Sequence, residues 1–291
     1  MNLQIGKAAP YWMVILVALI SGCAGQQIRT KSSVVDYLYP TESEAIVQPS
    51  IPVLNLPVKV GIAFVPEQSS RLRGVNMWSG VTVGGSLTEA NKTDLLEKVA
   101  ENFRGQEFVS DIEVIPSAYL AAGGGFSNLE QIRTMYGIDI IALVSYDQIQ
   151  FTDEGLLSLA YWTLVGAYVI SGEKNDTSTM LDTAVYDIQS KNMLFRAPGT
   201  SNVKGSSTPI NLSEELRKDS VRSYDEATDN MISNLEVQLE KFKEKIKQDP
   251  EQVKVVHREG YSGGSIGLLE MIMMFLLFGA VRHGYSKYSP R

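Results

Sequence analysis

Cysteine and histidine are nearly absent: the chain has only Cys23, His257 and His283. A single cysteine excludes an internal disulfide and any zinc site built on cysteine pairs. With both histidines near the C-terminal end, neither a Ser-His-Asp triad nor a multi-histidine metal site can be assembled in the body of the chain. Cationic charge is in deficit, with 26 Lys and Arg against 33 Asp and Glu and a net charge of −7. An acidic chain without a basic patch argues against a nucleic-acid partner. No apolar run reaches the ~20 residues of a full membrane-spanning helix. Phosphate motifs are missing too. Gly123-Gly124-Gly125 precedes a helical pattern, an anion site in principle, but it lacks the Lys-Ser/Thr of a P-loop and the spacing of a dinucleotide fingerprint. A turn is the plainer reading, and no cofactor or metal is implied.

What the chain does have lies at its ends. Residues 1–22 carry Lys7 and then an apolar stretch from Tyr11 to Ile20, the form of a signal peptide. Ile20-Ser21-Gly22 leads directly into Cys23. At the other end Gly263-Gly264 precedes an apolar run from Ile266 to Val281, with Glu270 its one charge and Arg282, Lys287 and Arg291 beyond it. Those 16 residues make a helix of about 24 Å against a hydrocarbon core of ~30 Å, enough to span with tilt or local thinning. The basic residues that follow predict a tail held on the cytoplasmic side, with the main domain outside. The two glycines resist helix and leave an open backbone at the start of the run.

These ends resemble known signals. Ile20-Ser21-Gly22-Cys23 resembles the bacterial lipobox, which implies diacylglycerol on Cys23, handling by the lipoprotein machinery and, with Ala24 following, the outer membrane. Gly263-Gly264, the apolar run and the basic tail resemble the GlyGly-CTERM sorting signal of Gram-negative bacteria. That resemblance implies cleavage near Gly263 and Gly264 by rhombosortase, a rhomboid-type intramembrane protease. Here Arg282 alone adjoins the run, where that family has a dense basic cluster. With Tyr161 to Tyr168 and Leu194 to Gly199, the whole chain is similar to the rhombotarget lipoprotein family, a resemblance that carries no activity with it.

The body reads as α/β. Residues 23–57 are polar, with Pro40, Pro49, Pro52 and Pro57, and predict an extended tether. Val58 to Val65 is a buried strand. Pro66 to Gly85 is a Gly/Ser-rich loop holding Arg71, Arg73 and Trp78. Ser86 with Glu89, and Ser127 with Glu130, have capping-box spacing ahead of two helices. Ile112 to Ile115 and Ile138 to Tyr146 are strands, and Thr183 to Ile188 pairs with Met193 to Arg196 around a turn at Ser190-Lys191-Asn192. Asn211 opens a helix reaching Gln248, whose Ile232, Leu235, Leu239, Phe242 and Ile246 form a stripe that must lie on something. The expectation is one domain over 58–249 with a mixed sheet flanked by helices, a polar linker over 250–264 and a transmembrane tail over 265–291. This order resembles the periplasmic domain of the curli-channel lipoprotein and the N-terminal domain of the Tol-system propeller protein.

Three functions compete on these residues. The leading one is a non-enzymatic envelope lipoprotein. A secretion or assembly component resembling the curli channel is the second; the apolar stretch from Leu156 to Ile170, otherwise a core element, would then touch membrane or join subunits. The third is a carboxylate hydrolase using a pair among Asp139, Asp147, Asp153, Glu154 and Asp187.

Overall fold

The computed structural model describes residues 26–40, 50–67, 87–154, 173–207 and 211–258. The fold is α/β, three layers deep, with a mixed sheet at its centre. In chain order the elements are β1 (Gln26–Lys31), α1 (Val34–Leu38), β2 (Val53–Leu56), β3 (Val58–Phe64), α2 (Glu89–Phe103), β4 (Val109–Val114), α3 (Gly125–Tyr136), β5 (Ile140–Glu154), β6 (Glu173–Asp187), β7 (Met193–Ser207), α4 (Leu212–Gln248) and β8 (Lys254–His257). The main sheet runs β4-β3-β5-β6-β7. β3 is parallel to β4 and to the first half of β5, whereas β5, β6 and β7 form an antiparallel meander. Along the edge of β5 that β3 leaves free, β1 pairs antiparallel, with Gln26 opposite Thr152.

Side-chain alternation sorts the strands into two cores. Val58, Ile62 and Phe64 of β3, with Ile140, Ala142 and Val144 of β5, face α2 and α4. Ala63, Ile141 and Leu143 point the other way, onto α1 and α3. The central strands are therefore apolar on both faces, as strands covered on both sides must be. α4 lies along β6 and β7, and Gly199 is where it comes closest. A Cβ there would overlap the Ala227 carbonyl oxygen and lie 2.5 Å from Met231 Cβ.

The tether reading of 23–57 needs correction. β1 belongs to the main sheet, and α1 buries Val34, Tyr37 and Leu38. Ser32 locks the junction: its N–H donates to the Tyr146 carbonyl at 2.8 Å, and its Oγ accepts from Tyr146 N–H at 3.1 Å. Each buried apolar side chain contributes about 1.5–3 kcal/mol, enough to dock a five-residue helix that could not exist alone. The polar linker over 250–264 is likewise partly structured, since β8 pairs parallel with β2. Both elements are too short for periodicity to betray them.

Two caps also differ. The N-cap of α2 is Thr88, whose hydroxyl accepts from Asn91 N–H at 3.2 Å. α3 begins at Gly125 rather than after a Ser127 capping box. Its entry is fastened by Asn128, which accepts from Tyr37 Oη at 2.8 Å and Ala121 N–H at 3.0 Å and donates to the Tyr119 carbonyl at 3.2 Å. α4 matches its expected bounds, with the Asn211 carbonyl accepting from Glu214 and Glu215 N–H.

Candidate functional site: an apolar groove

The stripe on the second half of α4 lies over the parallel end of the sheet. Its first members, Ile232 and Leu235, are buried there, while Phe242 and Ile246 are only partly covered. α2 and α4 do not close on each other at this end. Between them opens a groove of about 690 Å³, within the usual range for ligand sites. Val58, Val60, Ile62, Ile140, Ala142 and Val185 form its floor. One wall is Val99, Ala100 and Phe103 of α2; the other is Leu235, Leu239, Phe242 and Ile246 of α4. Leu54 and Leu56 of β2 and Val255 of β8 close the end.

Polar atoms are scarce inside. Thr183 reaches the floor, and its hydroxyl donates to Met231 Sδ at 2.9 Å. Phe195 and Phe242 meet with ring centroids 5.4 Å apart. Charge appears at the mouth as Lys243, Lys247 and Glu107. Lys243 Nζ pairs with Glu240 at 2.7 Å and stands 4.8 Å from the Phe108 ring centroid. Among the described residues the groove interior is thus apolar apart from Thr183, and its titratable groups stand at the mouth; contact with water there is unfavourable.

Along the first half of α4 the same face changes character. Gln148 Nε2 donates to Thr179 Oγ1 at 2.8 Å, and Gln148 Oε1 accepts from Ser220 Oγ at 2.6 Å. Gln150 Nε2 donates to the Leu216 carbonyl at 2.8 Å. Ser223 Oγ donates to Thr179 Oγ1 at 2.7 Å. These buried groups satisfy one another, which makes a polar seam between helix and sheet tolerable. Beside it Tyr146 and Tyr224 meet edge to face at 5.8 Å. Burial pushes both phenols well above their ordinary range, so they stay neutral.

The residues singled out from sequence do not converge. Cys23, Gly263, Gly264, the run from Ile266 to Val281, His283, the loop arginines Arg71 and Arg73 and the stretch from Leu156 to Ile170 lie outside the described residues. So do the side chains of Asp153 and Glu154. Asp139 accepts from Lys59 N–H at 3.1 Å and pairs with Arg258 at 2.8 Å. Asp147 is held by Arg29, its Oδ1 accepting from Nε at 2.8 Å. Asp187 accepts from Ser190 N–H at 2.9 Å and shapes the β6–β7 turn. None of these three lines the groove. Asp139 and Asp147 sit eight residues apart along one strand, roughly 26 Å. His257 is exposed on β8.

Gly123 and Gly125 have positive φ, and a Cβ would press on Pro40 at the first and on the Leu38 carbonyl at the second. They serve the packing of α1 against α3. Among the described residues no group of three or more His, Cys, Asp or Glu could hold a metal ion. No described helix is long and apolar enough to cross a membrane.

No family model and no curated protein matches the chain. Solved structures similar to it include a putative neuraminyllactose-binding hemagglutinin homolog from Helicobacter pylori, at 8% identity and a TM-score of 0.34, covering 69% of this chain and 97% of that one. The PelC dodecamer from Paraburkholderia phytofirmans is similar at 12% identity and a TM-score of 0.23, covering 72% of this chain and 98% of that one.

Proposed function

We propose that this chain is a non-enzymatic cell-envelope lipoprotein whose domain is a binding module for apolar ligands. In this reading it is exported, acylated at Cys23 and trimmed near Gly263 and Gly264 by a rhomboid-type protease of the rhombosortase kind. It then resides at the outer membrane or cell surface. The groove between α2 and α4 carries the reading: it is large, open and apolar, with its one inner hydroxyl already engaged. Sites of that composition hold ligands and do no acid–base work. The sequence at both ends supports the location, and β1 adds that the domain begins three residues after Cys23, close on its anchor.

Intact mass of the protein from native membranes tests the processing. The expected mass begins at an acylated Cys23 and ends near Gly263 or Gly264. Cys23→Ser is expected to abolish incorporation of labelled fatty acid and to leave precursor behind. Undiminished label in that variant, or an unacylated full-length mass for the wild type, overturns the lipoprotein reading.

A further inference from the structure

We infer that α4 guards the free edge of β7 against strand addition by a second copy of this chain. The main sheet ends at β4 on one side and at β7 on the other, and among the described residues no strand covers either outer edge. β7 is the greater liability. Its 15 residues, Met193–Ser207, pair with β6 on one side only. An open strand edge presents unpaired N–H and C=O groups that template another strand. Two β7 edges related by a twofold axis would match, since an antiparallel pair is its own complement.

Register shows which groups face out. Pro198 lies opposite Asp182 and has no N–H, so that pair cannot exchange two ladder hydrogen bonds. Pro198 and Thr200 therefore turn their backbone groups away from β6. Side chains of α4 meet them there. Asn230 Oδ1 accepts from Thr200 N–H at 3.0 Å, and Asn234 Nδ2 donates to the Pro198 carbonyl at 2.7 Å. The two asparagines stand one helical turn apart, with Asn234 Nδ2 3.5 Å from Asn230 Oδ1. The middle of the edge is thus filled: proline removes one donor, and the next donor and an acceptor are engaged. Farther along, Asn202, Lys204 and Ser206 share that outward register, and exposed Lys204 sets a charge on the stretch that remains.

The opposite edge is treated the same way. β4 pairs parallel with β3, and Ile115 N–H donates to the Ile62 carbonyl at 2.9 Å. Alternation then turns Ile112 outward. Its N–H donates to Asp111 Oδ1 at 2.8 Å, and its carbonyl accepts from Arg104 Nη2 at 3.4 Å. Side chains thus take outward backbone groups on both outer strands. Those on β7 matter more, because it is the longer edge. Burying α4 does not require the asparagines, since its buried face carries Ala227, Met231 and Leu235. The guard is also independent of what fills the groove.

The test uses the full chain in detergent micelles. A double variant carries Asn230→Ala and Asn234→Ala; a triple variant adds Pro198→Thr, which returns an N–H to the edge. Light scattering gives the protein mass per micelle, and hydrogen exchange of peptides from β7 reports on the edge. The triple variant is expected to reach twice the wild-type mass, with slower exchange over residues 198–206 in the larger species. Exchanging Asn230→Ala for Asn230→Asp in that variant keeps an acceptor for Thr200 N–H and is expected to lower the mass again. If the triple variant fails to fold, a fluorescent peptide copying residues 196–206 is titrated into the double variant. Saturable binding is expected there and none with wild type. A folded triple variant at the wild-type mass overturns the proposal, as do a larger species with unchanged β7 exchange and equal peptide binding by double variant and wild type. So does a wild type whose β7 exchange slows as its concentration rises, because its edge is then already pairing.

Discussion

Gly199→Ala tests the packing on which the groove depends, because α4 can form one wall only if it lies close on β7. The new Cβ would overlap the Ala227 carbonyl oxygen and stand 2.5 Å from Met231 Cβ and 2.7 Å from Met231 N. Comfortable carbon contacts are ~3.5–4.0 Å, so the helix must retreat by about 1 Å. The atoms in the way are mostly backbone and cannot rotate aside. Overpacking of this kind costs about 1–3 kcal/mol, and a backbone clash belongs at the upper end. The retreat also loosens two latches beside it, Thr200 N–H to Asn230 Oδ1 at 3.0 Å and Asn234 Nδ2 to the Pro198 carbonyl at 2.7 Å. Each contributes about 0.5–1.5 kcal/mol. Together the loss is about 3–5 kcal/mol, a large share of a typical stability of 5–15 kcal/mol. At about 2–4 °C per kcal/mol, Tm is expected to fall by roughly 10 °C. Gly105→Ala is the control: nothing lies within 4 Å of its Cβ, and a change within about 1 kcal/mol is expected. Thermal and urea unfolding of the full chain, followed by circular dichroism, measures both. Equal stability for Gly199→Ala and wild type would falsify the close approach of α4 to the sheet.

Three other outcomes follow from particular residues. Leu38→Ala is expected to destabilise the fold by about 2–5 kcal/mol in urea titrations, because Leu38 is fully buried in the α1–α3 core; a negligible change would restore the tether reading of 23–57. Burial raises the Asp219 pKa above its ordinary value, Arg222 opposing it; a raised carboxyl gives stability below its unfolded pKa that is lost as pH rises through the folded one, so Asp219→Asn is expected to raise Tm at pH 7, with the gap closing towards pH 4. Gly263→Leu with Gly264→Leu is expected to extend the apolar helix, since glycine costs a helix about 1 kcal/mol, and to block trimming; on immunoblots of fractionated membranes the variant should run larger than wild type, and equal mobility in protease-positive cells counts against a cleaved tail.

Legibility from sequence followed element length and pattern. Val58 to Val65, the Ser190-Lys191-Asn192 turn and the whole of α4 stand out because long apolar periods and a capped start leave little choice. β5 and β6 run far longer than their apolar halves suggest. Their outer halves carry Gln148, Gln150, Thr177 and Thr179, polar residues that carry no apolar signal yet are buried beneath α4. Only knowing that Ser220 and Ser223 lie opposite reveals the seam. β1, α1, β2 and β8 escaped because four to six residues carry no period, and prolines nearby mimic a linker. The groove could not be read at all: it is assembled from most of the sheet and two helices, and what makes it a groove is the divergence of α2 and α4, which no local pattern encodes.

The two ends of the described chain leave the sheet at opposite poles, and this constrains how the proposed anchors can act. Gln26 lies opposite Thr152, while Arg258 pairs with Asp139 at the start of β5. The strand between them is roughly 40 Å long, more than the ~30 Å hydrocarbon core itself. Residues 259–265 extend at most about 25 Å, too short to carry the apolar run back along the sheet to the lipid on Cys23. If both anchors occupy one membrane, the sheet must lie along its surface. Cutting near Gly263 and Gly264, as proposed, would remove that requirement and leave the domain on the proposed N-terminal lipid. The groove belongs to the Asp139 pole, so the proposed trimming would release the end of the molecule that carries it. If both proposed anchors hold and the tail is then cut, the precursor would keep its groove near the bilayer and the trimmed form could present it roughly 40 Å away.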